Sequence, residues 1–154
     1  MISFEKAQEI VTSQARSFGT EEIILDGAFG RVLAEPIRAD RDYPPFPRAT
    51  MDGYALKYDD LEQGTRRFRV VETLFAGSEP GRRIGKGECY KIMTGAAVPE
   101  YADMVIRRED VEEGDEVEVQ RKNPEAWRPY LNIARQGEDL RAGELVIDKP
   151  RRSG

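Results

Sequence analysis

The chain has 154 residues, and its 29 acidic and 24 basic side chains give a net charge of −5; this length suits one globular domain or two small interleaved ones. The basic residues are scattered, whereas nucleic-acid binding needs a concentrated basic face, so we expect no nucleic-acid partner. No apolar run approaches the ~20 residues that span a bilayer, and the N-terminus lacks the pattern of a signal peptide, which predicts a cytoplasmic protein without membrane contact.

The N-terminal part is predicted to contain a helix, a short strand and a second helix. Apolar residues spaced by three or four predict an amphipathic, core-facing helix over residues 3–18. Ser3 is its predicted N-cap, and Gly19 is its predicted end. Residues 22–25 are predicted to form the strand and residues 28–34 the second helix.

The remainder of the chain is predicted to be rich in β-strands. Four prolines between residues 36 and 48 indicate an extended segment. Beyond it, six segments have the composition of strands, and in the fourth Val117 and Val119 alternate with charged residues. These cover residues 67–74, 88–93, 104–112, 116–121, 131–135 and 144–147. The Gly114-Asp115 pair predicts a hairpin between the third and the fourth of them.

Two proline-rich passages, one near Pro44 and one at residues 124–129, are the predicted domain boundaries. Residues 46–128 would then form an inserted β domain. Residues 1–45 and 129–154 would together form a discontinuous domain of helix and strand. The predicted fold class is therefore mixed α/β and mostly β.

The absence of histidine and the single cysteine, Cys89, limit the chemistry of this chain. It has no internal disulfide, no cysteine-based zinc site and no triad that depends on histidine. A metal ion would have to bind to oxygen ligands, which favours magnesium or calcium.

The stretch Met-Asp-Gly-Tyr-Ala at residues 51–55 is the first candidate for a functional site. Asp-Gly is a common turn dipeptide, so a purely structural turn is one interpretation. The other interpretation is that Gly53 bends the backbone sharply, so that Asp52 presents an oxygen to a cation.

The stretch Thr-Gly-Ala-Ala at residues 94–97 is the second candidate, and it follows a predicted strand. Gly95 and the small Ala96 would leave backbone N–H groups uncovered beside the Thr94 hydroxyl. That arrangement suits an oxyanion. The alternative is a loop of small residues closed by Pro99.

The four glycines of residues 76–88 suggest a phosphate-binding loop, but their spacing argues against one. The segment from Gly81 to Lys86 is one residue too short, and Gly87 stands where such a loop requires serine or threonine. We interpret this segment as a surface loop between two strands.

Three motifs in this order, PPFPRATMDGYA, IMTGAAVPEYADMVIRRED and NIARQGEDLRAGE, resemble the N-terminal part of the MoeA family of molybdopterin molybdenumtransferases, which is related to the E domain of gephyrin. The resemblance spans nearly the whole chain, and three motifs in sequence are more specific than any one of them. It implies coiled or bifurcated sheets with an inserted β-barrel-like domain.

The resemblance also implies a role in molybdenum cofactor biosynthesis. Family members take adenylylated molybdopterin and molybdate, place molybdenum on the pterin dithiolene and release AMP in a step that depends on Mg²⁺. An elongated homodimer is implied, with its active site between subunits and a pterin-binding domain from the same or a partner chain. Without that domain the chain would be inactive. The alternative is a non-enzymatic module that uses the same scaffold for dimerisation or partner binding.

On the family's pattern the predicted catalytic residues are Asp52, which would hold the metal ion or the attacking water, and Thr94, which would bind an oxyanion. Asp52 is also the predicted metal ligand. The predicted cofactor-binding residues are Gly53, Gly95, Ala96, Arg135 and Asp139.

Three features depart from the family's pattern. Ala49 stands where the family has serine, and Ala134 stands where it has arginine. Arg135 is adjacent to Ala134, but neighbouring residues of a strand point to opposite faces, so we expect weaker contact with an anionic substrate. The sequence also ends at residue 154, where the family continues into its pterin-binding domain.

Overall fold

The computed structural model describes residues 2–16, 18–120 and 124–149. Its helices are α1 (Phe4–Ser13) and α2 (Tyr58–Glu62). Its strands, numbered β1 to β10, are Ile37–Arg38, Arg48–Ala49, Gly53–Leu56, Arg67–Leu74, Glu88–Ile92, Met104–Arg107, Val111–Glu113, Val117–Val119, Ile133–Ala134 and Leu145–Ile147. Strand residues outnumber helical ones, which confirms the predicted mixed and mostly β fold class. Within the described ranges no helix has the length and apolar character needed to cross a membrane.

Six of the strands form one sheet in the order β6-β3-β5-β4-β8-β7, and this sheet curls into a half-barrel. Strand β3 is antiparallel to both of its neighbours, whereas β4 and β5 are parallel to each other. Two shorter ribbons pair β1 with β10 and β2 with β9. The predicted inserted barrel-like domain remains a prediction.

Strand β3 lies between two hydrophobic cores, and all four of its residues are buried. Tyr54 and Leu56 pack into one core with Phe68 and Met104. Ala55, which points to the other face, packs into the second core with the side chains of β5 and β6. A strand that is buried on both faces shows no alternation of polar and apolar residues, and β3 was therefore absent from the predicted strands.

Packing divides the chain into two compact units, residues 38–146 and residues 1–37 with 147–154. The six-stranded sheet belongs to the first unit. The predicted domain boundaries near residues 45 and 129 remain a prediction.

Helix α1 confirms its predicted cap but not its predicted burial. The Ser3 Oγ accepts a hydrogen bond from the Lys6 N–H at 3.2 Å. The helix ends at Ser13, well short of residue 18, and residue 17 lies outside the described residues. Phe4 and Val11 are 76% and 71% exposed, and no residue of α1 is buried. The prediction of a core-facing helix is therefore wrong. An apolar stripe indicates that one face of a helix is to be covered, but it does not identify the surface that covers it.

The segment after α1 is irregular, and two further predictions for it are wrong. Residues 22–24 form no strand, and Leu25–Gly27 is a single turn of 3₁₀ helix. Residues 28–34 form no helix, because Gly30 adopts a left-handed φ of 75°, which interrupts helical geometry.

The predicted strands after residue 66 are largely confirmed. Residues 67–74 form β4, and the glycine-rich segment 75–87 is the expected loop between β4 and β5. The predicted hairpin is present as β7 and β8, in which Glu112 pairs with Glu118. The long strand predicted over 104–112 is interrupted by a 3₁₀ turn at Arg108–Asp110. Residue 121 of the predicted fourth strand lies outside the described residues.

Gly53 allows two strands to approach each other closely, and it does not form the predicted sharp bend. It is the first residue of β3 and pairs with Ile92 on β5 and with Arg107 on β6. A Cβ placed on Gly53 would lie 1.9 Å from the Ile106 carbonyl oxygen. No other residue type fits there without displacing β6 from β3.

We therefore predict that Gly53→Ala lowers the free energy of unfolding by about 1–3 kcal/mol, the usual cost of overpacking. Gly27→Ala is the control, because a Cβ at Gly27 meets no atom within 4 Å. Urea denaturation of the two variants should show a lower midpoint for Gly53→Ala alone. Equal midpoints would mean that β6 moves away from Gly53 at no cost.

Candidate functional site

Asp52 and Thr94 form one hydrogen-bonded unit. Asp52 directly precedes β3, and Thr94 lies in the turn that follows β5. The Thr94 N–H donates to Asp52 Oδ1 at 2.8 Å, and the Thr94 hydroxyl donates to the same oxygen at 2.6 Å. Both residues are exposed. One carboxylate oxygen is thus fixed by two donors, and the carboxylate keeps a defined orientation at the surface.

The register of the sheet explains why these residues meet. Gly53 pairs with Ile92 on β5 and with Arg107 on β6. The residue before Gly53 therefore lies beside the end of β5 on one side and beside Arg108 on the other. The Arg108 N–H donates to the Asp52 carbonyl oxygen at 3.0 Å, which continues the pairing by one residue.

The surroundings of Asp52 favour its ionised form. The two hydrogen bonds from Thr94 lower the pKa of the Asp52 carboxyl below its ordinary value, and the positive charge of Arg108 acts in the same direction. Asp52 is therefore a carboxylate at neutral pH, which is the form that binds a cation.

The turn after β5 does not offer the free N–H groups that its sequence predicts. The Thr94 N–H bonds to Asp52, the Gly95 N–H to the Ala49 carbonyl at 2.8 Å, and the Ala96 N–H to the Met93 carbonyl at 3.0 Å. The expectation of uncovered donors is therefore wrong, because backbone groups in a tight turn find partners inside the protein. Gly95 is needed for its left-handed φ of 83°.

Arg135 and Asp139 lie together in a second place, an open depression of about 490 Å³. The Arg135 guanidinium stacks over the Tyr130 ring at 4.1 Å. The Asp139 N–H donates to the Tyr43 carbonyl oxygen at 2.9 Å. Two further arginines, Arg128 and Arg141, also line the depression. Three acidic side chains, Glu138, Asp139 and Glu144, line it as well. The structure thus separates the predicted site residues into an Asp52–Thr94 cluster and this depression.

Tyr130, which lines the depression, and Asn132, two residues further on, have unusual backbone conformations. Tyr130 and Asn132 adopt left-handed φ values of 64° and 56°, which residues other than glycine adopt rarely. The Asn132 side chain donates to the Val105 carbonyl oxygen at 2.8 Å and so holds this conformation against β6. Ala134 pairs with Arg48 and leaves Arg135 as the first residue beyond β9.

A polar cluster next to Asp52 was not predicted from the sequence. Glu113 on β7 accepts hydrogen bonds from the Tyr54 hydroxyl at 2.5 Å, from Arg108 Nε at 2.9 Å and from Lys91 Nζ at 3.3 Å. These donors lower the pKa of Glu113 to about 2. Tyr54 lies two residues after Asp52, so a predicted β3 would have placed both side chains on one face.

The residues present fit a magnesium ion with a single protein ligand. The described residues contain no group of three or more acidic, histidine or cysteine side chains that could hold a metal ion. Mg²⁺ is commonly bound through one or two carboxylates, with waters and substrate oxygens completing its octahedron. Asp52 can supply one such ligand.

The fold and this site define the class of protein. The curled β scaffold places an exposed, oriented carboxylate at the start of a central strand, and residues 2–153 match the family described as the MoeA N-terminal region (domain I and II). The chain belongs to this family.

Several known proteins are similar to the chain. A molybdopterin molybdenumtransferase from Synechocystis is 38% identical over 96% of this chain and 38% of its own length. One from Staphylococcus epidermidis is 34% identical over 96% of this chain and 36% of its own length. The crystal structure of a molybdopterin biosynthesis MoeA protein from Pyrococcus horikoshii has a TM-score of 0.85 and 35% identity over 97% of this chain and 40% of that chain. The chain thus spans well under half the length of these relatives.

The paired bonds at Asp52 predict different outcomes for two substitutions. Asp52→Asn keeps an oxygen that can accept both Thr94 donors, so we expect a melting temperature close to that of the wild type. Asp52→Ala removes the acceptor and should lower the melting temperature, because the turn after β5 loses its connection to β3. Differential scanning calorimetry at pH 7 measures both variants. An equal loss in the two would show that the charge, rather than the hydrogen bonds, holds the turn.

Proposed function

We propose that the chain is the N-terminal portion of a molybdopterin molybdenumtransferase, which places molybdenum from molybdate on adenylylated molybdopterin and releases AMP. The observation that supports this most directly is the Asp52 carboxylate, which two donors of Thr94 hold in one orientation at the surface. Family membership and the names of the relatives support the same assignment.

In this proposal Asp52 binds the magnesium ion through the oxygen that Thr94 leaves open. When bound, Mg²⁺ would neutralise charge on the phosphate and molybdate oxygens. Thr94 keeps the carboxylate oriented, since its hydroxyl proton is directed at Asp52; binding an oxyanion would require this proton to turn away. Gly95 leaves room for a ligand above the turn, because even a Cβ at this position would meet no atom within 4 Å.

The remaining predicted contacts are proposed in two groups. Gly53 and Ala96 shape the backbone around Asp52, since one permits the approach of β6 and the other is fully buried beneath the turn. Arg135 and Asp139 are proposed to contact the pterin nucleotide from the depression that they line. Guanidinium groups suit its phosphates because they donate in a planar fork.

The substrate needs more surface than this chain offers, so we propose that a pterin-binding domain completes the site. That domain comes from the same protein or from a partner chain. A few charge-assisted contacts exposed to water and salt hold a ligand weakly, at best near millimolar or about −4 kcal/mol. The isolated chain is accordingly expected to release no AMP.

The proposal predicts that Asp52→Asn, made in the protein that carries this chain, lowers AMP release by about 100-fold or more, the usual loss when one preorganised charge is removed from a site. Its melting temperature should stay near that of the wild type. Asp115→Asn is the matched control, because it neutralises an exposed aspartate in the hairpin turn between β7 and β8. AMP release at the wild-type rate in Asp52→Asn would remove Asp52 from the mechanism.

We further propose that the protein forms a homodimer through the N-terminal unit. No described residue between 2 and 37 is buried, and large apolar side chains are exposed throughout. The most exposed of these are Phe4, Val11, Phe18, Ile24, Leu25, Phe29 and Val32. A surface of this kind is typical of an interface. It equally supports the second candidate function, a non-enzymatic module for dimerisation or partner binding.

The dimer proposal predicts twice the subunit mass in light scattering, and a shift toward the subunit mass in Phe29→Glu. Phe75→Glu is the control, because Phe75 is also exposed but lies in the loop after β4. A monomeric wild-type protein at micromolar concentration would contradict the proposal. A dimer that neither binds the pterin nucleotide nor releases AMP would favour the non-enzymatic module.

A further inference from the structure

Arg108 lies next to Asp52 and has no role in the function proposed so far. Its N–H donates to the Asp52 carbonyl oxygen at 3.0 Å. This bond continues the register of β3 with β6, so Arg108 and Asp52 are paired neighbours on adjacent segments. The neighbouring Arg107 forms ion pairs with two acidic residues, Glu109 and Asp110, whereas Arg108 pairs with Glu113.

Glu113 fixes the direction of the Arg108 side chain. Arg108 Nε donates to Glu113 Oε1 at 2.9 Å, and Nη2 donates to Oε2 at 3.4 Å. Glu113 is itself held by the Tyr54 hydroxyl and by Lys91 Nζ. A guanidinium carries five N–H donors, and the bonds to Glu113 use two of them. Because 64% of the Arg108 side chain is exposed, a ligand can reach the other donors.

The positive and negative charges of this cluster are equal in number, so the cluster does not repel an anion. Asp52 alone would repel a dianion from the place where its own cation binds. Lys91 and Arg108 carry two positive charges against the two negative charges of Asp52 and Glu113, so the cluster presents no net repulsion. Of the two cations, Arg108 offers a planar fork, which matches pairs of oxygens on tetrahedral oxyanions.

We propose that Arg108 is a further substrate-binding residue of this site, that its guanidinium binds the tetrahedral oxyanion substrate, and that Glu113 is the residue that positions it. This inference rests on the proposed function and names the group that meets molybdate at the Asp52–Thr94 cluster. A role in stability alone explains the pair less well, because exposed ion pairs contribute little to folding.

The protein that carries this chain allows a matched test. Arg108→Gln removes the charge beside Asp52. Arg67→Gln removes an equally exposed arginine that also pairs with a glutamate of the β7–β8 hairpin, Glu118. We expect Arg108→Gln to raise the molybdate concentration for half-maximal AMP release by roughly 10-fold, the usual effect of losing one charge-assisted hydrogen bond. The KM for the pterin nucleotide and the melting temperature should not change, and Arg67→Gln should behave as the wild type.

Two further variants separate binding from positioning. Arg108→Lys keeps the charge without the fork and should recover part of the molybdate affinity. Glu113→Gln should raise the same half-maximal concentration by less than Arg108→Gln does. Calorimetric titration with molybdate alone measures the oxyanion contact without turnover, and it should show weaker binding in Arg108→Gln than in Arg67→Gln.

The outcomes distinguish this inference from the function on which it rests. Wild-type protein that releases no AMP contradicts the proposed function, and the calorimetric comparison then decides the role of Arg108 by itself. An unchanged molybdate dependence and unchanged molybdate binding in Arg108→Gln would overturn the inference. So would equal losses in Arg67→Gln, since that result would indicate only a general effect of surface charge.

Discussion

Strand β3 can pass between β5 and β6 because Gly53 has no side chain. The Ile106 carbonyl oxygen lies 1.9 Å from the point that a Cβ at Gly53 would occupy. This approach keeps β3 in register with both neighbours, so that Tyr54 and Ala55 enter separate cores on the two faces of the sheet. It also fixes the position of Asp52, one residue earlier. The site and the core of the larger unit therefore depend on the same backbone contact.

Strands with one buried face and one exposed face could be predicted from the sequence. In the β7–β8 hairpin Val117 and Val119 are buried on either side of the less buried Glu118, and the structure contains the predicted hairpin. Strand β3 is buried on both faces, and its residues carry no such pattern. In the N-terminal unit, the apolar stripe of α1 shows only that some surface must be covered. A short irregular segment with exposed apolar residues follows it, and local periodicity cannot identify a partner that lies outside the segment.

The two central residues of the candidate site could be predicted from the sequence, but the residues around them could not. Asp52 and Thr94 were found from their motifs, because a carboxylate before glycine and a hydroxyl in a small-residue turn are recognisable types. The free N–H groups expected at Gly95 and Ala96 are not present, since backbone donors in a tight turn are satisfied locally. Arg108 and Glu113 could not be found from spacing, because their closeness to Asp52 depends on the register of β3 with β6 and on the fold of the hairpin.

The exposure of this cluster has a physical consequence for how it can act. In water, a charge pair a few ångströms apart interacts by only about 1 kcal/mol, whereas the same pair interacts several times more strongly where water is excluded. Hydrogen bonds within the chain orient the Asp52 and Arg108 side chains, and both side chains are exposed to solvent. The two side chains are therefore oriented before a ligand binds, but their electrostatic field is weakened by the surrounding water. A second surface that covers the cluster would remove water without having to reorganise these groups, so the proposed pterin-binding domain would gain most by closing over a site that is already arranged.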